Sequence, residues 1–269
     1  MSEGTGNIAL NRVRFEICLL TITFLALIGC TFTSRDDPID SFKIQQTWTL
    51  QDLGSRELVQ FESVFWEPDD TVSLREAIIE DGIGVHRDVL EIGTGTGLIA
   101  ILCLLNQANK VVATDINPAA VANARYNAEF LLPDQELEVR QVLKHSPGAF
   151  AVVRGTESFD LIISNPPWEN GLIEHPADHA FYDPGFALMD SILDGLPSHL
   201  RPGGRCLLAY GHVPAIKRLR TEAENRGYTF TILDDRELDL LETDFLPGML
   251  IEIRIPDDSA VGPAANPHR

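Results

Sequence analysis

"DVLEIGTGTG", residues 88–97, is the stretch that decides the fold. An apolar run of strand length leads into alternating glycines, and the helical pattern "GLIAILCLLNQ" follows over residues 97–107. Glycine lets the backbone turn tightly and approach a ligand at points where a Cβ atom would block it. The stretch therefore predicts a strand, a ligand-binding turn and a helix in succession.

Strand and helix patterns continue to alternate along the chain. "KVVATDI", residues 110–116, is strand-like, and "PAAVANARYNAEF", residues 118–130, has Pro at a helix start. Further strands are predicted at 57–66, 137–143, 159–165, 204–211, 228–233 and 248–255, and further helices at 72–82, 186–200 and 213–227. This alternation predicts an α/β fold, a parallel sheet with helices on both faces. Ligands of such a sheet bind beyond the carboxyl ends of its strands.

An acidic side chain ends the second strand of this unit. Asp115 lies 22 residues beyond Gly93 (115 − 93), where a carboxylate can accept both hydroxyls of a ribose. A dinucleotide-dependent oxidoreductase has the same arrangement. The glycine turn and Asp115 alone therefore leave both kinds of cofactor open.

"SNPPWEN", residues 164–170, ends the strand pattern of the fourth strand of this unit. Pro166 and Pro167 lack N–H donors and hold φ near about −65°, which stops the strand ladder and fixes the loop. Asn165 is thus predicted at the sheet edge, in a rigid position.

The two stretches together resemble the class I S-adenosylmethionine-dependent methyltransferases over about residues 60–255. The first motif of that family reads much like "VLEIGTGTG", with Glu91 ahead of the glycines. "NPPW" resembles the Asn-Pro-Pro-aromatic signature of enzymes that methylate planar amide or amino nitrogens, namely protein-glutamine and adenine or guanine amino-methyltransferases. An oxidoreductase would not explain this second motif.

The resemblance implies a Rossmann-like, mostly parallel seven-stranded sheet with helices on both faces. It also implies S-adenosyl-L-methionine as the cofactor. The glycines would border its methionine part, Asp115 would hold the ribose, and Ile116 and Asn117 would lie beside the adenine. Thr71, in "FWEPDDT" with Asp70, would wrap the cofactor, the alternative being a cap on the following helix. The cofactor-binding residues so implied are Thr71, Glu91, Gly93, Thr94, Gly95, Gly97, Asp115, Ile116, Asn117 and Asn165.

The family often has an acidic residue after the third strand, which meets the adenine amino group. This sequence has "VLKHSPG" there, with His145 and Ser146 in place of the acid. The adenine contacts are therefore the part of the site that the resemblance defines least.

The same resemblance assigns catalytic roles to Asn165, Pro166 and Trp168. A planar nitrogen has a delocalised lone pair, so the Asn165 amide oxygen and the Pro166 carbonyl would orient its N–H bonds and aim the lone pair at the methyl group. Trp168 would offer a flat face for the planar group of the substrate. In the loop "HAFYDPG", Tyr182 or Asp183 would face the substrate, with packing as the alternative for Tyr182.

The charge composition limits which class of molecule can be the methyl acceptor. The chain has 21 Lys and Arg against 40 Asp and Glu, a formal charge of −19, which disfavours long nucleic acid as a partner. Four cysteines without metal-type spacing predict no metal site. The expected function is N-methylation of a protein glutamine or of a small molecule. The alternatives are an RNA or DNA base amino-methyltransferase and an exported, lipid-anchored, non-catalytic binding module.

The amino terminus carries an apolar segment, residues 17–29, preceded by Arg12 and Arg14. It predicts a lipoprotein signal ending in the lipobox-like "LIGC", a membrane anchor within residues 12–33, or an extension from a misplaced start codon. The expected domains are a leader and linker at 1–40, a methyltransferase domain at 41–258 and a disordered tail at 259–269. Cofactor supply favours a catalytic domain on the cytoplasmic side, although the charge rule predicts export.

Overall fold

A computed structural model describes residues 42–66 and 68–256. The predicted leader, the membrane segment at 12–33 and the tail at 259–269 lie outside the described residues. Within the described ranges, no helix is long and apolar enough to cross a membrane.

A mostly parallel sheet of seven strands forms the centre of the domain, as predicted. In chain order its strands are β3 (Asp88–Ile92), β4 (Lys110–Asp115), β5 (Glu138–Gln141), β6 (Phe159–Ser164), β7 (Leu200–His212), β8 (Thr229–Ile232) and β9 (Phe245–Arg254). Across the sheet they run in the order β5-β4-β3-β6-β7-β9-β8. β9 is antiparallel to both neighbours, and the other pairs are parallel. The adjacent carboxyl ends of β4, β3 and β6 therefore lie at one edge of the sheet.

Five helices cover the two faces of this sheet. They are α1 (Val72–Ile79), α2 (Leu98–Leu105), α3 (Pro118–Leu131), α4 (Ala187–His199) and α5 (Val213–Asn225). One buried cluster joins α1, α2 and α3 to one face, and a second joins α4 and α5 to the other. α2 has seven buried apolar residues, which explains why its sequence is apolar on every side.

An antiparallel hairpin, which the sequence analysis only half predicted, precedes this sheet in the chain. Its strands are β1 (Ile44–Leu50) and β2 (Arg56–Phe61). β1 was missed because most of its residues are polar and exposed. The strand predicted over 57–66 was too long: it ends at Phe61, and the backbone turns at Ser63 with φ of 63°.

Two buried amides on α3 anchor the hairpin. Asn127 Oδ1 accepts from the backbone N–H of Val59 at 2.9 Å, and Asn123 Oδ1 accepts from that of Phe61 at 2.9 Å. The edge of β2 is thus satisfied by side chains instead of another strand. This contact brings residues 62–66 over the carboxyl ends of β3 and β4.

Gly97 is the tightest point between the glycine turn and α3. Its φ is +85°, and an added Cβ atom would lie 2.9 Å from Ala124 Cα. We expect Gly97→Ala to lower the free energy of unfolding by about 3 kcal/mol, because left-handed strain and overpacking add. Gly93→Ala, with φ of +77° and no atom within 4 Å of the added Cβ, should cost only the strain, about 1–2 kcal/mol. Urea unfolding measures both, and equal losses would contradict the packing role of Gly97.

Candidate functional site

A cavity of about 420 Å³ lies beyond the carboxyl ends of β3, β4 and β6. This volume is within the range of small-molecule sites. The glycine turn, the end of β4 and the loop after β6 all contribute to its lining. Predicted residues that line it are Thr71, Glu91, Gly93, Thr94, Gly95, Asp115, Ile116, Asn117, Asn165 and Pro166.

Two glycines leave one wall of the cavity open. A Cβ atom added at Gly93 would have no neighbour within 4 Å, and one at Gly95 would approach only the Phe65 carbonyl, at 4.0 Å. Both residues line the cavity. Their missing side chains therefore leave room for a ligand at the backbone, as a cofactor held by this turn requires.

Asp115 joins the turn to the end of β4. Its carboxylate accepts from the backbone N–H of Gly95 at 2.9 Å and from that of Asn117 at 2.8 Å. Burial raises the pKa of Asp115, and these N–H donors counteract part of the rise. The Asn117 side chain caps α3 by accepting from Ala119 and donates to the Ser63 carbonyl at 2.8 Å. The carboxylate is thus fixed in a position where it faces the cavity.

Glu91 is a buried acid under the same wall. Burial, with a smaller contribution from the Asp115 charge, raises its pKa to about 8, although a hydrogen bond of 2.6 Å from Thr94 Oγ1 to Oε2 opposes the rise. The folded protein therefore holds a proton on Glu91 at a pH where the unfolded chain has lost it.

We expect Glu91→Gln to remove a pH-dependent loss of stability. The stabilising contribution of protonated Glu91 is complete below its ordinary pKa of 4.5 and is lost as pH rises through about 8. The Tm of the variant, relative to the unchanged protein, should therefore rise between pH 5 and 8.5 by on the order of 5 °C. Thermal melts across this range measure it, with Glu80→Gln at an exposed position as control. A pH-independent difference would contradict a neutral, buried Glu91.

The loop after β6 contains Pro166 and Pro167 and is called the proline loop. It begins beside the end of β3. Ser164 Oγ donates to the Ile92 carbonyl at 2.6 Å, so the ends of β6 and β3 stay together. Asn165, Pro166 and Pro167 then line the cavity that Gly93 and Asp115 line. The two motifs, far apart in sequence, share one cavity.

The sequence profile of the family described as "Methyltransferase small domain" matches residues 74–225. That match covers more than half of the chain. The chain belongs to this family. A class I S-adenosylmethionine-dependent methyltransferase fold and S-adenosyl-L-methionine as cofactor, both predicted above, are thereby confirmed.

Two curated relatives of this methyltransferase are named for glutamine. The chain is 36% identical over 154 residues to the release factor glutamine methyltransferase of Cereibacter sphaeroides, covering 53% of this chain and 52% of the relative. It is 37% identical over 125 residues to the putative protein N5-glutamine methyltransferase of Methanocaldococcus jannaschii, covering 44% and 59%. The matched part is thus only about half the length of these relatives.

A solved structure supports the fold of the methyltransferase. It is a T. thermophilus 16S rRNA methyltransferase in complex with AdoMet and guanosine, which matches with a TM-score of 0.52 and 16% identity. The match covers 78% of this chain and 50% of that one. At this identity the likeness concerns the fold alone.

Two predicted site residues of the methyltransferase do not line the cavity, which corrects their expected positions. Gly97 packs against Ala124 instead of bordering the ligand space. Trp168 is half-buried and turns back to β7, where its indole N–H donates to the Ala209 carbonyl at 3.1 Å. A Cβ atom at Gly211 would overlap this indole. The absence of a side chain at Gly211 is what lets the ring lie against the strand.

Thr71 lines the cavity and does not act as the helix cap that was the alternative. It is the residue before α1 but makes no side-chain cap bond, and its hydroxyl donates to the Pro68 carbonyl at 3.4 Å. Asp70 does not line the cavity. Its backbone instead lies against Gly248, where a side chain would not fit.

Tyr182 and Asp183 both line the cavity. The Asp183 carboxylate accepts from the backbone N–H groups of Leu188 and Met189 at the start of α4, at 2.9 and 3.0 Å. Tyr182 packs on Gly171, where a Cβ atom would overlap its ring. Both residues therefore shape the loop, in addition to lining the cavity.

Sequence reasoning missed other parts of the lining. Val142, Pro147 and Gly148 line the cavity after β5, whereas His145 and Ser146 are exposed and do not. Leu188 and Ser191 of α4 face the same space. The helical pattern of α4 predicts that these two residues share one face of the helix. It does not predict that this face points towards the cavity.

Phe65 also lines the cavity, and its ring meets Phe181 edge to face at a centroid distance of 5.3 Å. This contact joins the segment after the hairpin to the loop after "NPPW". Over the described ranges 42–66 and 68–256, no group of His, Cys, Asp or Glu side chains is arranged to hold a metal.

Proposed function

We propose that this chain transfers a methyl group from S-adenosylmethionine to the side-chain amide nitrogen of a protein glutamine. The observation that carries the proposal is the shared cavity, in which Asn165 and Pro166 of the proline loop and Gly93, Gly95 and Asp115 of the cofactor wall all take part. The relatives named for glutamine support the choice of acceptor.

The proposed cofactor contacts follow the cavity wall. The open wall at Gly93 and Gly95 would hold the methionine part, and the Asp115 carboxylate would accept hydrogen bonds from the ribose hydroxyls. Asn117, Ile116 and Val142 border the adenine. When bound, S-adenosylmethionine supplies an electrophilic methyl group on a sulfonium sulfur.

The proposed catalytic step depends on orientation. Asn165 Oδ1 and the Pro166 carbonyl accept the two N–H bonds of the acceptor amide and direct its nitrogen towards the methyl group. Bound S-adenosylmethionine would supply the methyl group, and the electron pair of the broken S–C bond would stay on its sulfur. The nitrogen becomes acidic in the process, so its proton passes to water without a general base. The prolines keep both acceptors in place because they hold φ fixed.

The acidity of the chain favours a protein over nucleic acid. A formal charge of −19 repels a polyanion, whereas no such penalty applies to a neutral or basic protein segment. A base amino group presents a planar nitrogen of the same kind, so an RNA or DNA acceptor is the alternative that the test must separate.

The test supplies radiolabelled S-adenosylmethionine together with separate pools of protein, RNA, DNA and small molecules. We expect label in the protein pool, and mass spectrometry should place it on a glutamine side chain with a mass increase of one methyl group. Asn165→Ala serves as the background control. Label mainly in RNA, DNA or small molecules would overturn the proposed acceptor.

We further propose that the catalytic domain is on the cytoplasmic side, because S-adenosylmethionine is a cytosolic metabolite. Fractionation of the full chain with protease protection tests this. Protection of the domain in intact cells, together with activity on cytosolic acceptors, supports it. Recovery of the domain from outside the cytoplasmic membrane contradicts it.

A further inference from the structure

Trp168 is not placed where it could stack on a substrate, yet it contacts the residue on which the proposed chemistry depends. Its indole N–H lies 3.2 Å from Asn165 Oδ1 and 3.1 Å from the Ala209 carbonyl. The indole packs against Gly211 of β7, and the backbone carbonyl of Trp168 lies 3.1 Å from His212 Nδ1. The donor is therefore fixed by the sheet.

This contact selects one orientation of the Asn165 amide. An indole N–H can only donate, so it favours Oδ1 as a neighbour and disfavours the Nδ2 group, which also donates. Without this donor, the amide could rotate by 180° and present Nδ2 to the acceptor nitrogen. Two N–H groups would then face each other, and the acceptor would lose its orientation.

We propose that Trp168 is a positioning residue that fixes the Asn165 amide with Oδ1 available to the methyl acceptor. Oδ1 has two lone pairs, so one takes the indole N–H and the other remains for an N–H of the acceptor. The proposal rests on the proposed function. It reassigns the aromatic residue of the motif from contact with the substrate to control of the side chain that contacts it.

The same chain provides a matched control. Trp48 Nε1 donates to Gln60 Oε1 at 3.2 Å, an indole-to-amide bond of the same kind and length. Trp48 does not line the cavity. Phenylalanine at either position removes the N–H and keeps an aromatic ring, so each variant takes an indole donor from one side-chain amide; Trp168→Phe also removes the donor to the Ala209 carbonyl.

The kinetic test compares Trp168→Phe and Trp48→Phe on the acceptor that the labelled pools identify. We expect Trp168→Phe to lower kcat roughly 10- to 100-fold, with the S-adenosylhomocysteine Kd unchanged within a factor of about two. Trp48→Phe should keep kcat within about twofold. A Trp168→Phe variant that melts at the unchanged temperature and retains kcat within about twofold would overturn the positioning role.

A second readout does not depend on activity. The chain has three tryptophans, so a ¹⁵N-labelled sample gives three indole N–H resonances, and the one lost in Trp168→Phe identifies Trp168. We expect Asn165→Ala to shift this resonance and to leave those of Trp48 and Trp66 in place. An unmoved Trp168 resonance would overturn the contact itself. A shifted one in a protein that methylates nothing would refute the proposed function and leave the contact standing.

Discussion

Asn165→Ala should reduce kcat by roughly 100- to 1,000-fold while the S-adenosylmethionine Kd changes by less than about threefold. The side chain supplies one of the two proposed acceptors for the methyl-accepting nitrogen, and its carbonyl oxygen is the one that Trp168 holds in place. The cofactor wall, formed by the glycine turn and Asp115, stays intact. Initial rates at saturating cofactor, combined with calorimetric titration, separate the two quantities.

A neighbouring asparagine provides the control for this prediction. Asn170 is exposed, its Oδ1 accepts from the Gly185 backbone N–H at 2.8 Å, and it does not line the cavity. Asn170→Ala should keep kcat within about threefold, because it alters the same loop away from the proposed reacting atoms. If Asn165→Ala weakened cofactor binding as much as it slowed turnover, the acceptor half of the site would be wrongly placed.

Asp115→Ala should have the reverse effect, raising the S-adenosylhomocysteine Kd by roughly 100-fold or more. The substitution removes the carboxylate proposed to bind the ribose. It also leaves the N–H groups of Gly95 and Asn117 without their acceptor, so the turn loses its shape. At saturating cofactor, kcat should fall far less than in Asn165→Ala. Titration calorimetry with S-adenosylhomocysteine measures the affinity.

Two further variants, Asp115→Asn and Asp160→Ala, serve as controls for this prediction. Asparagine keeps one oxygen and should give an intermediate loss of affinity. Asp160 is an acid in the same sheet that pairs with Arg201 instead of lining the cavity, so its removal should leave the Kd unchanged. A Kd within threefold of the unchanged protein for Asp115→Ala would mean that the ribose is bound elsewhere.

The sequence predicted the sheet well because its strands carry strong local signals. β3 and β4 are short apolar runs bounded by glycine, asparagine or proline, and the proline at the start of α3 fixes where that helix begins. β1 gave no such signal, since its stability comes from pairing with β2, which buried amides of α3 hold in place. A prediction from local pattern cannot contain these contacts.

The candidate site also has features that the sequence predicts and features that it does not. The positions of Gly93, Gly95, Asp115 and Asn165 at one cavity follow from strand order, because neighbouring parallel strands end at the same edge. The direction of Trp168 does not follow from it. Trp168 directly follows the proline pair, and nothing in the local sequence decides which side its indole faces; the space left by Gly211 and the bond to the Ala209 carbonyl fix it. Gly97 likewise shares the motif of Gly93 and serves packing, since Ala124 lies behind it.

A crystal structure with S-adenosylhomocysteine tests the central claim most directly, namely that the glycine turn and the proline loop hold donor and acceptor in one cavity. The account predicts ribose hydroxyls on the Asp115 carboxylate and a sulfur atom that faces Asn165 Oδ1 across the space for one acceptor nitrogen. A ligand bound away from Gly93 and Gly95, or a sulfur that faces away from Asn165, would contradict it.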